Sequence, residues 1–507
     1  MNVLKTKFSK TDFTFKLLIP VLLVMLNFIV KGVFISNNSV AGDEPFSIYI
    51  AQLDIVSIIK QLSIGNNPPL YEILLHFWVK YFGVSGLSVR MPSLFFNCVT
   101  LFFLYKIGNE FYNKRIAVYV SLIFIFSNYQ IIFAHEARVY ALLGMLASIS
   151  MFYYLKLIIG NNSNKWNYIL LLLMNILLIY SHYFGFFVLF VQSLHFISSK
   201  QLRQKYFKNY LLSIVIIVLF YLPNILVLFY RFIDSSVNGT WIESPNGVES
   251  IYNMLWCFSN APVVTVIVIV VLISALIKSI RRHKIVDSKF LVNKLIIIWF
   301  VFVFFFMFFI SYWVPMFFDR YLMIASISFC LLVAIASDYL IEKSFVRYII
   351  PSIVCLLFII TTKPNITNKR NIREAIEKIK QISAKEKVII YFSPSFYDLN
   401  FIYYYDMNIF KKVDEKYIKN NFINNNDNKN IKGNIYKYFH EQNIFPIDHV
   451  DQIDQNLLKN THKVIYLDAG ADFSFPNNGI LNGLENKLKL QNKFEFYEIF
   501  KIYEFRH

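Results

Sequence analysis

The feature that most constrains the fold of this chain is a series of long apolar segments separated by short polar ones. Of its 507 residues, 56% are hydrophobic and only 16% are charged, a composition unlike that of ordinary soluble domains. A transmembrane helix needs about 20 mostly apolar residues. The segments that meet or approach this length are residues 17–30, 88–106, 116–133, 141–159, 166–180, 184–197, 210–230, 263–277, 295–310, 322–336 and 348–360. The sequence therefore predicts a polytopic α-helical membrane protein with about 11 transmembrane helices.

Basic residues mark one side of the predicted membrane domain. Lysines precede the first segment, and further Lys and Arg residues cluster at 106–115, 200–208, 278–289 and 343–347. Short basic loops stay in the cytoplasm, so we place these loops there and the alternate loops outside. This topology accounts for much of the net charge of +18. Since no basic patch is interleaved with aromatic residues, we predict no nucleic-acid partner. The first segment is interpreted as an uncleaved membrane anchor.

Beyond residue 362 the sequence becomes rich in Asn, Lys, Asp and Tyr. Helical patterns at 368–383 and 478–489 alternate with strand patterns at 387–393, 463–470 and 493–505, which is typical of an α/β domain. We therefore divide the chain into a transmembrane domain, residues 1–362, and an extracytoplasmic α/β domain, residues 363–507. The first external loop, 37–87, is predicted to hold interfacial helices. One of them, at 70–82, would follow Pro68 and Pro69, because proline favours the start of a helix.

Two adjacent carboxylates, Asp43 and Glu44, lie just past the first apolar segment. A carboxylate at a membrane surface is partly desolvated, which tunes its pKa for proton transfer. The alternative interpretation is an ordinary acidic loop.

Other ionisable residues also fall at the predicted external ends of spans. Ionisable groups beside hydrocarbon are costly and are kept for function or for pairing. Glu136 and Arg138 could instead pair with each other, His182 could be a hydrogen-bonded interfacial histidine, and Arg320 could pair with Asp319. Glu72 and His76 are four residues apart, so they share one face of a helix. The pair could form half of a metal site, or it could lie on a solvated helix face.

Carboxylates provide a general base, and arginines bind phosphate. The residues alone thus predict an enzyme that acts on a lipid phosphate outside the cytoplasm. The rival class is a lipid or polysaccharide transporter or flippase. Transporters usually place ionisable groups near the middle of the membrane and in repeated halves, whereas here the charges cluster at one face.

Several motifs carry a resemblance to a known family. In chain order they are "DE", "NNPPLYEILLHFW", "SVRMPS", "HEARVYALL", "YSHYFGFF" and "DRYLMI", spread over about residues 10–345. This set resembles bacterial glycosyltransferases of the dolichyl-phosphate-mannose protein mannosyltransferase-like superfamily, of glycosyltransferase family 39 type. These are GT-C fold enzymes related to the lipid A aminoarabinose transferases.

The resemblance implies a bacterial cytoplasmic membrane protein. Its donor would be a sugar on polyprenyl phosphate, and its acceptor a lipid, glycan or protein on the external face. Asp43 matches the family's catalytic acid and Glu44 its neighbour, while Arg138 matches a basic position that we assign to the donor phosphate. Tyr71 matches the last position of the family's H-P-P-L-Y segment, in which Asn67 replaces the histidine. The expected chemistry is an inverting displacement, with Arg320, His182 or a divalent cation assisting Arg138 and with Glu136 in the substrate site.

Overall fold

The computed structural model describes residues 10–63, 67–159, 164–238, 242–281, 288–342, 346–366, 372–414, 433–459, 462–497 and 499–507. The chain forms two compact units. The membrane unit comprises Met1–Ile35, Asn66–Tyr71 and Arg90–Ile366, and the α/β unit comprises Ser36–Gly65, Glu72–Val89 and Thr367–His507. The division after Ile366 falls close to the predicted boundary at 362. The first external loop, residues 37–87, lies within the predicted transmembrane domain, but in the structure nearly all of it belongs to the α/β unit.

Helices dominate the first two thirds of the chain. They are α1 (Lys10–Gly32), α2 (Glu44–Ile50), α3 (Ile55–Leu62), α4 (Leu70–Phe82), α5 (Gly86–Phe111), α6 (Lys114–Ile125), α7 (Asn128–Ala134), α8 (Tyr140–Ile159), α9 (Lys165–Ser181), α10 (Gly185–Ile197), α11 (Lys200–Asn238), α12 (Gly247–Ser259), α13 (Pro262–Arg281), α14 (Ser288–Ile310), α15 (Met323–Leu340) and α16 (Ile349–Thr361). Helix α4 begins directly after Pro68 and Pro69, where the sequence predicts a helix start.

Among the described residues, six helices are long and apolar enough to cross a membrane, and the bent pair α6–α7 raises this to seven. Four shorter apolar helices cover Leu17–Gly32, Lys165–Ser181, Gly185–Ile197 and Val346–Thr361. Every predicted apolar segment falls on one of these helices or on the bent pair, and α11 extends well beyond the predicted segment 210–230 at both ends. The polytopic helical class is thereby confirmed, and the number of spans stays a prediction.

The segment predicted as one continuous span at 116–133 is wrong in detail. Helices α6 and α7 meet at an angle of 64°. Ser127 caps α7, and its Oγ accepts from the Gln130 amide at 3.4 Å. Asn260 accepts from the Asn128 amide at 2.7 Å and donates to the Phe126 carbonyl at 2.7 Å. The freed backbone groups at the break therefore find polar partners, as buried backbone groups require.

A second correction concerns residues 231–261, which separate the predicted apolar segments 210–230 and 263–277 and are therefore expected to form a polar external loop. Helix α11 continues to Asn238, and α12 occupies Gly247–Ser259. Polar residues do not prevent a helix when one of its faces can pack. Here Phe258 of α12 is buried against the rings of Tyr129 and Phe329.

A buried carboxylate joins α6, α15 and the chain leading into α16. The Asp338 side chain is 3% exposed and accepts two bonds from Arg347, at 2.7 Å and 3.2 Å. Arg115 approaches the same carboxylate at 3.4 Å. A buried carboxylate needs such charged, hydrogen-bonding partners to offset its lost hydration.

We expect Asp338→Asn to lower the free energy of unfolding by about 2 kcal/mol, because it removes charge-assisted hydrogen bonds. Thermal unfolding of the purified protein in detergent measures the effect as a lower midpoint. Glu342→Gln is the control, since Glu342 pairs with Lys278 at 3.2 Å but is 48% exposed, and such a pair contributes under about 1 kcal/mol. Equal midpoints for both variants would contradict the structural role of Asp338.

The C-terminal part of the chain folds around a five-stranded sheet. Its strands are β1 (Ile389–Ser393), β2 (Ile444–Pro446), β3 (Lys463–Ala469), β4 (Lys489–Phe496) and β5 (Phe500–Arg506), and its helices are α17 (Ile372–Ser383), α18 (Asp398–Tyr405), α19 (Met407–Phe410), α20 (Gly433–Glu441), α21 (Gln455–Lys459), α22 (Ala471–Ser474) and α23 (Ile480–Glu485). The order is β2-β1-β3-β5-β4, with β1 parallel to β2 and β3, and β5 antiparallel to β3 and β4. The predicted α/β class is confirmed.

The loop that carries α2 is joined to this sheet region by hydrogen bonds inside the α/β unit. The Tyr403 hydroxyl donates to the Val84 carbonyl at 2.7 Å, and the Asp414 amide donates to the Tyr49 hydroxyl at 2.9 Å. The Tyr49 ring also lies edge-on to Phe410, with centroids 5.6 Å apart. The loop after the first span is thus an integral part of the α/β unit.

Candidate functional site

The two carboxylates that follow the first span sit in a tight turn of the α/β unit. The Glu44 amide donates to the Ala41 carbonyl at 3.3 Å, which closes a turn over residues 41–44. Gly42 has a φ of +62°, a conformation that only glycine adopts without strain. The turn presents Asp43 immediately before α2.

The side chains of Asp43 and Glu44 have different surroundings. Asp43 is exposed, whereas Glu44 is buried. The Glu44 carboxylate accepts from the Ala41 amide at 3.1 Å, so Glu44 fastens the turn on which Asp43 is displayed. Asp43 is thus the carboxylate that solvent can reach.

Residues Glu72 and His76, which the sequence suggests as half of a metal site or a solvated face, each have a local partner. Glu72 is buried and accepts from the Ser47 hydroxyl at 2.8 Å. His76 is half-buried, with its Nδ1 3.0 Å from the Ala51 carbonyl. This face of α4 therefore packs on α2 instead of being solvated.

In the membrane unit, Glu136 and Arg138 lie in the short turn between α7 and α8. The Arg138 amide donates to the Glu136 carbonyl at 2.8 Å, and the same carbonyl accepts from the Ser93 hydroxyl at 2.7 Å. Both side chains are buried. The turn is therefore held in one conformation, with two opposite charges out of bulk water.

His182 follows α9 and is surrounded by rings. Its centroid lies 6.1 Å from that of Tyr140 and 5.9 Å from that of Tyr321. The Phe184 amide donates to His182 Nδ1 at 3.1 Å, so the neutral ring carries its proton on Nε2. Burial, and then the positive charges of Arg138 and Arg320, lower the pKa of His182 from 6.5 to about 3. The imidazole is therefore neutral at physiological pH and can act as an N–H donor.

Arg320 lies in a 3₁₀ turn, Asp319–Leu322, that leads into α15. Its amide donates to the Asp319 carboxylate at 2.6 Å, and its guanidinium lies 5.1 Å from the centre of the Phe318 ring. The Asp319 carbonyl accepts from the Tyr129 hydroxyl at 2.6 Å, which fixes the turn to α7.

The membrane unit thus brings three predicted site residues together. The rings nearest to His182 include Tyr140, which follows Arg138 by two residues, and Tyr321, which directly follows Arg320. Glu136 is two residues from Arg138. Two guanidinium groups and one imidazole N–H form a donor set suited to an anion such as phosphate. Tyr71 is buried in the first turn of α4, and Asp43 and Glu44 belong to the α/β unit.

Two further buried charged residues of the membrane unit, Arg90 and Lys31, were missed by sequence reasoning. Arg90 is fully buried and donates to the Ile35 carbonyl at 3.0 Å. Lys31 is also buried and donates to Asn97 at 2.9 Å, and its carbonyl contacts the His135 ring. Position in the sequence could have drawn attention to Arg90, a charge close to the start of an apolar helix. Lys31 gave no such signal, because a lysine at a span end usually extends to water.

Comparison with known proteins agrees with this architecture. Residues 66–226 match the family model for dolichyl-phosphate-mannose-protein mannosyltransferase. Two crystal structures of ArnT from Cupriavidus metallidurans share the fold. The apo structure has a TM-score of 0.56 at 11% identity and covers 96% of this chain and 97% of that one. The structure bound to undecaprenyl phosphate has a TM-score of 0.54 at 11% identity and covers 98% of each.

A third solved structure has the same fold. It is the oligosaccharyltransferase AglB from Archaeoglobus fulgidus in complex with an inhibitory peptide and a dolichol-phosphate, with a TM-score of 0.51 and 10% identity. The match covers 94% of this chain and 73% of that one. No curated protein matches the chain in sequence.

The fold defines the class: the chain is a multi-pass membrane protein with the GT-C glycosyltransferase fold. Within that class, the match of residues 66–226 bears out the predicted resemblance to the mannosyltransferase-like superfamily over that part of the chain, and the likeness to ArnT bears out the fold.

Proposed function

We propose that this protein transfers a sugar from a polyprenyl-phosphate-linked donor to a lipid, glycan or protein acceptor. The observation that carries the proposal is the ArnT fold over nearly the whole chain. One ArnT structure is bound to undecaprenyl phosphate, and the AglB structure is bound to dolichol-phosphate. The donor set of Arg138, Arg320 and His182 suits the phosphate of such a lipid.

The chemistry is a single inverting displacement. Asp43 accepts the proton of the acceptor hydroxyl while that oxygen forms a bond to the sugar C1. The bond between C1 and the phosphate oxygen breaks, and polyprenyl phosphate leaves with the electron pair. Arg138 stabilises the leaving charge, assisted by Arg320 and by the N–H of His182. One carboxylate is enough, because a phosphate leaves without being protonated, unlike the sugar oxygen in a glycosidase.

In the described parts of the chain, no group of three or more His, Cys, Asp and Glu side chains could hold a metal ion. The donor set that is present, dominated by arginines, suits an anion and not a cation. A divalent cation that assists Arg138 at the leaving phosphate stays a prediction of the sequence.

We further propose that the protein lies in the bacterial cytoplasmic membrane, with the α/β unit and the reaction on the external side. The support is the charge of the loops, since the Lys/Arg clusters and the acid-bearing turns alternate between successive apolar segments.

Release of polyprenyl phosphate tests the function. Membranes that contain the native acceptors are supplied with labelled polyprenyl-phosphate sugars, and lipid and glycan products are followed by mass spectrometry. We expect free polyprenyl phosphate and a new surface glycan with the wild-type protein only. A transporter or flippase would instead move the intact lipid across the bilayer without breaking its sugar–phosphate bond, and that outcome would overturn the proposal.

A further inference from the structure

One helix of the C-terminal sheet region holds the backbone just before Asp43. The Asn400 amide group donates to the Gly42 carbonyl at 3.0 Å. The Tyr404 hydroxyl accepts from the Val40 amide at 2.5 Å. Residues 400 and 404 are four apart on α18, so they occupy one face of that helix. All of these residues belong to the α/β unit.

The two bonds fix both ends of a short stretch. Val40 precedes the turn over residues 41–44, and Gly42 supplies the positive φ that the turn requires. Because the carbonyl of Gly42 is part of the peptide bond to Asp43, its direction determines where the Asp43 side chain starts. Glu44 fastens the turn from the other side through the Ala41 amide at 3.1 Å.

Helix α18 is itself firmly placed. Phe401 stacks on Phe392 of strand β1, with centroids 4.9 Å apart. Asp398 accepts from the Tyr436 hydroxyl at 2.9 Å. A helix fixed to a sheet in this way is a more rigid support than a loop alone.

A third contact continues the attachment upstream. The Arg373 amide donates to the Ser39 hydroxyl at 3.2 Å, and the Arg373 guanidinium lies 5.6 Å from the centre of the Tyr404 ring. Arg373 belongs to α17, so two helices of the sheet region contact residues 39–42.

We propose that Asn400 and Tyr404 are positioning residues, which set the orientation of Asp43 through the backbone of residues 40–42. The C-terminal region thus contributes to turnover without contacting the reacting atoms. This inference rests on the proposed function of Asp43 as the base.

The test compares Tyr404→Phe and Asn400→Asp with the matched controls Tyr497→Phe and Asn482→Asp, exposed positions of the same unit. Tyr404→Phe removes one oxygen, and Asn400→Asp replaces the donor by an acceptor that repels the Gly42 carbonyl. We expect kcat to fall about tenfold in each and about 100-fold in the double variant, since small misplacement of a catalytic group is costly. The KM for the donor should be unchanged, and the controls should keep wild-type kcat.

Two further measurements separate positioning from general structure. Hydrogen exchange of the peptide that contains Val40 should accelerate in Tyr404→Phe, because the acceptor of that amide is removed. In an Asp43→Asn background, Tyr404→Phe should cause no further loss of turnover, because a positioning residue acts only through the group it positions.

Wild-type kcat together with slow exchange of the Val40 amide in Tyr404→Phe would overturn the inference. So would a loss of turnover on adding Tyr404→Phe to Asp43→Asn that is as large as the loss in the wild-type background. If Asn400→Asp fails to fold, kcat and Val40 exchange in Tyr404→Phe alone test the inference. The proposed function fails separately, when the wild-type protein releases no polyprenyl phosphate.

Discussion

Asp43→Asn is expected to lower turnover by about 10² to 10⁴, the range that general-base catalysis provides. Asparagine keeps the shape of the side chain but cannot accept the proton of the acceptor hydroxyl. Asp43 is exposed, so the substitution places no new polar group in the interior, and protein yield and donor binding should stay close to those of the wild type.

The rate is measured as release of polyprenyl phosphate from a labelled donor. Asp54→Asn is the matched control, since Asp54 caps α3 by accepting from the Val56 and Ser57 amides at 3.0 Å and 3.1 Å, and asparagine caps a helix equally well. It should keep wild-type turnover.

Glu44→Gln should cost less than Asp43→Asn. The Gln carbonyl can still accept from the Ala41 amide, so the turn should remain closed. Full loss of turnover in Glu44→Gln with near-normal turnover in Asp43→Asn would reverse the two roles. If both variants keep their turnover, the base lies elsewhere.

Arg138→Ala should weaken binding of the lipid-phosphate donor by about 30- to 150-fold. Loss of one charge-assisted contact costs about 2–3 kcal/mol. Arg138→Lys should recover only part of the affinity, because lysine lacks the planar fork that binds two phosphate oxygens.

Binding is measured directly, with detergent-solubilised protein and a labelled polyprenyl phosphate. Arg281→Ala is the control, an exposed arginine at the end of α13, and should bind like the wild type. Unchanged affinity in Arg138→Ala would remove Arg138 from the donor site. Loss of folding is checked by thermal unfolding, since Arg138 is buried.

The sequence predicts the helices of the membrane unit well, because apolar length is a local property. The strands β1 and β3 are predicted equally well, since each is a short run of mostly apolar residues. Strand β2 escapes prediction because it has only three residues and no periodicity of its own. The break between α6 and α7 also escapes, since its polar partner Asn260 lies far away in the chain.

For the candidate site, the sequence alone determined the residue types and their order along the chain. It predicted Arg138, His182 and Arg320, and the structure places the His182 ring beside Tyr140, two residues after Arg138, and beside Tyr321, which follows Arg320. Hydropathy could not reveal this, because the three residues lie on turns between different helices. Nor could it separate Asp43 from Glu44, which look alike as neighbouring acids.

The sequence by itself determined that the chain is a membrane protein with a C-terminal α/β domain, because both follow from local composition and periodicity. Only the tertiary structure decided that Glu44 is buried, that Asp43 is exposed, and that the turn bearing them is held by Asn400 and Tyr404. The physical reason is that burial and hydrogen bonding here depend on residues more than 350 positions apart, a relation that no local pattern records.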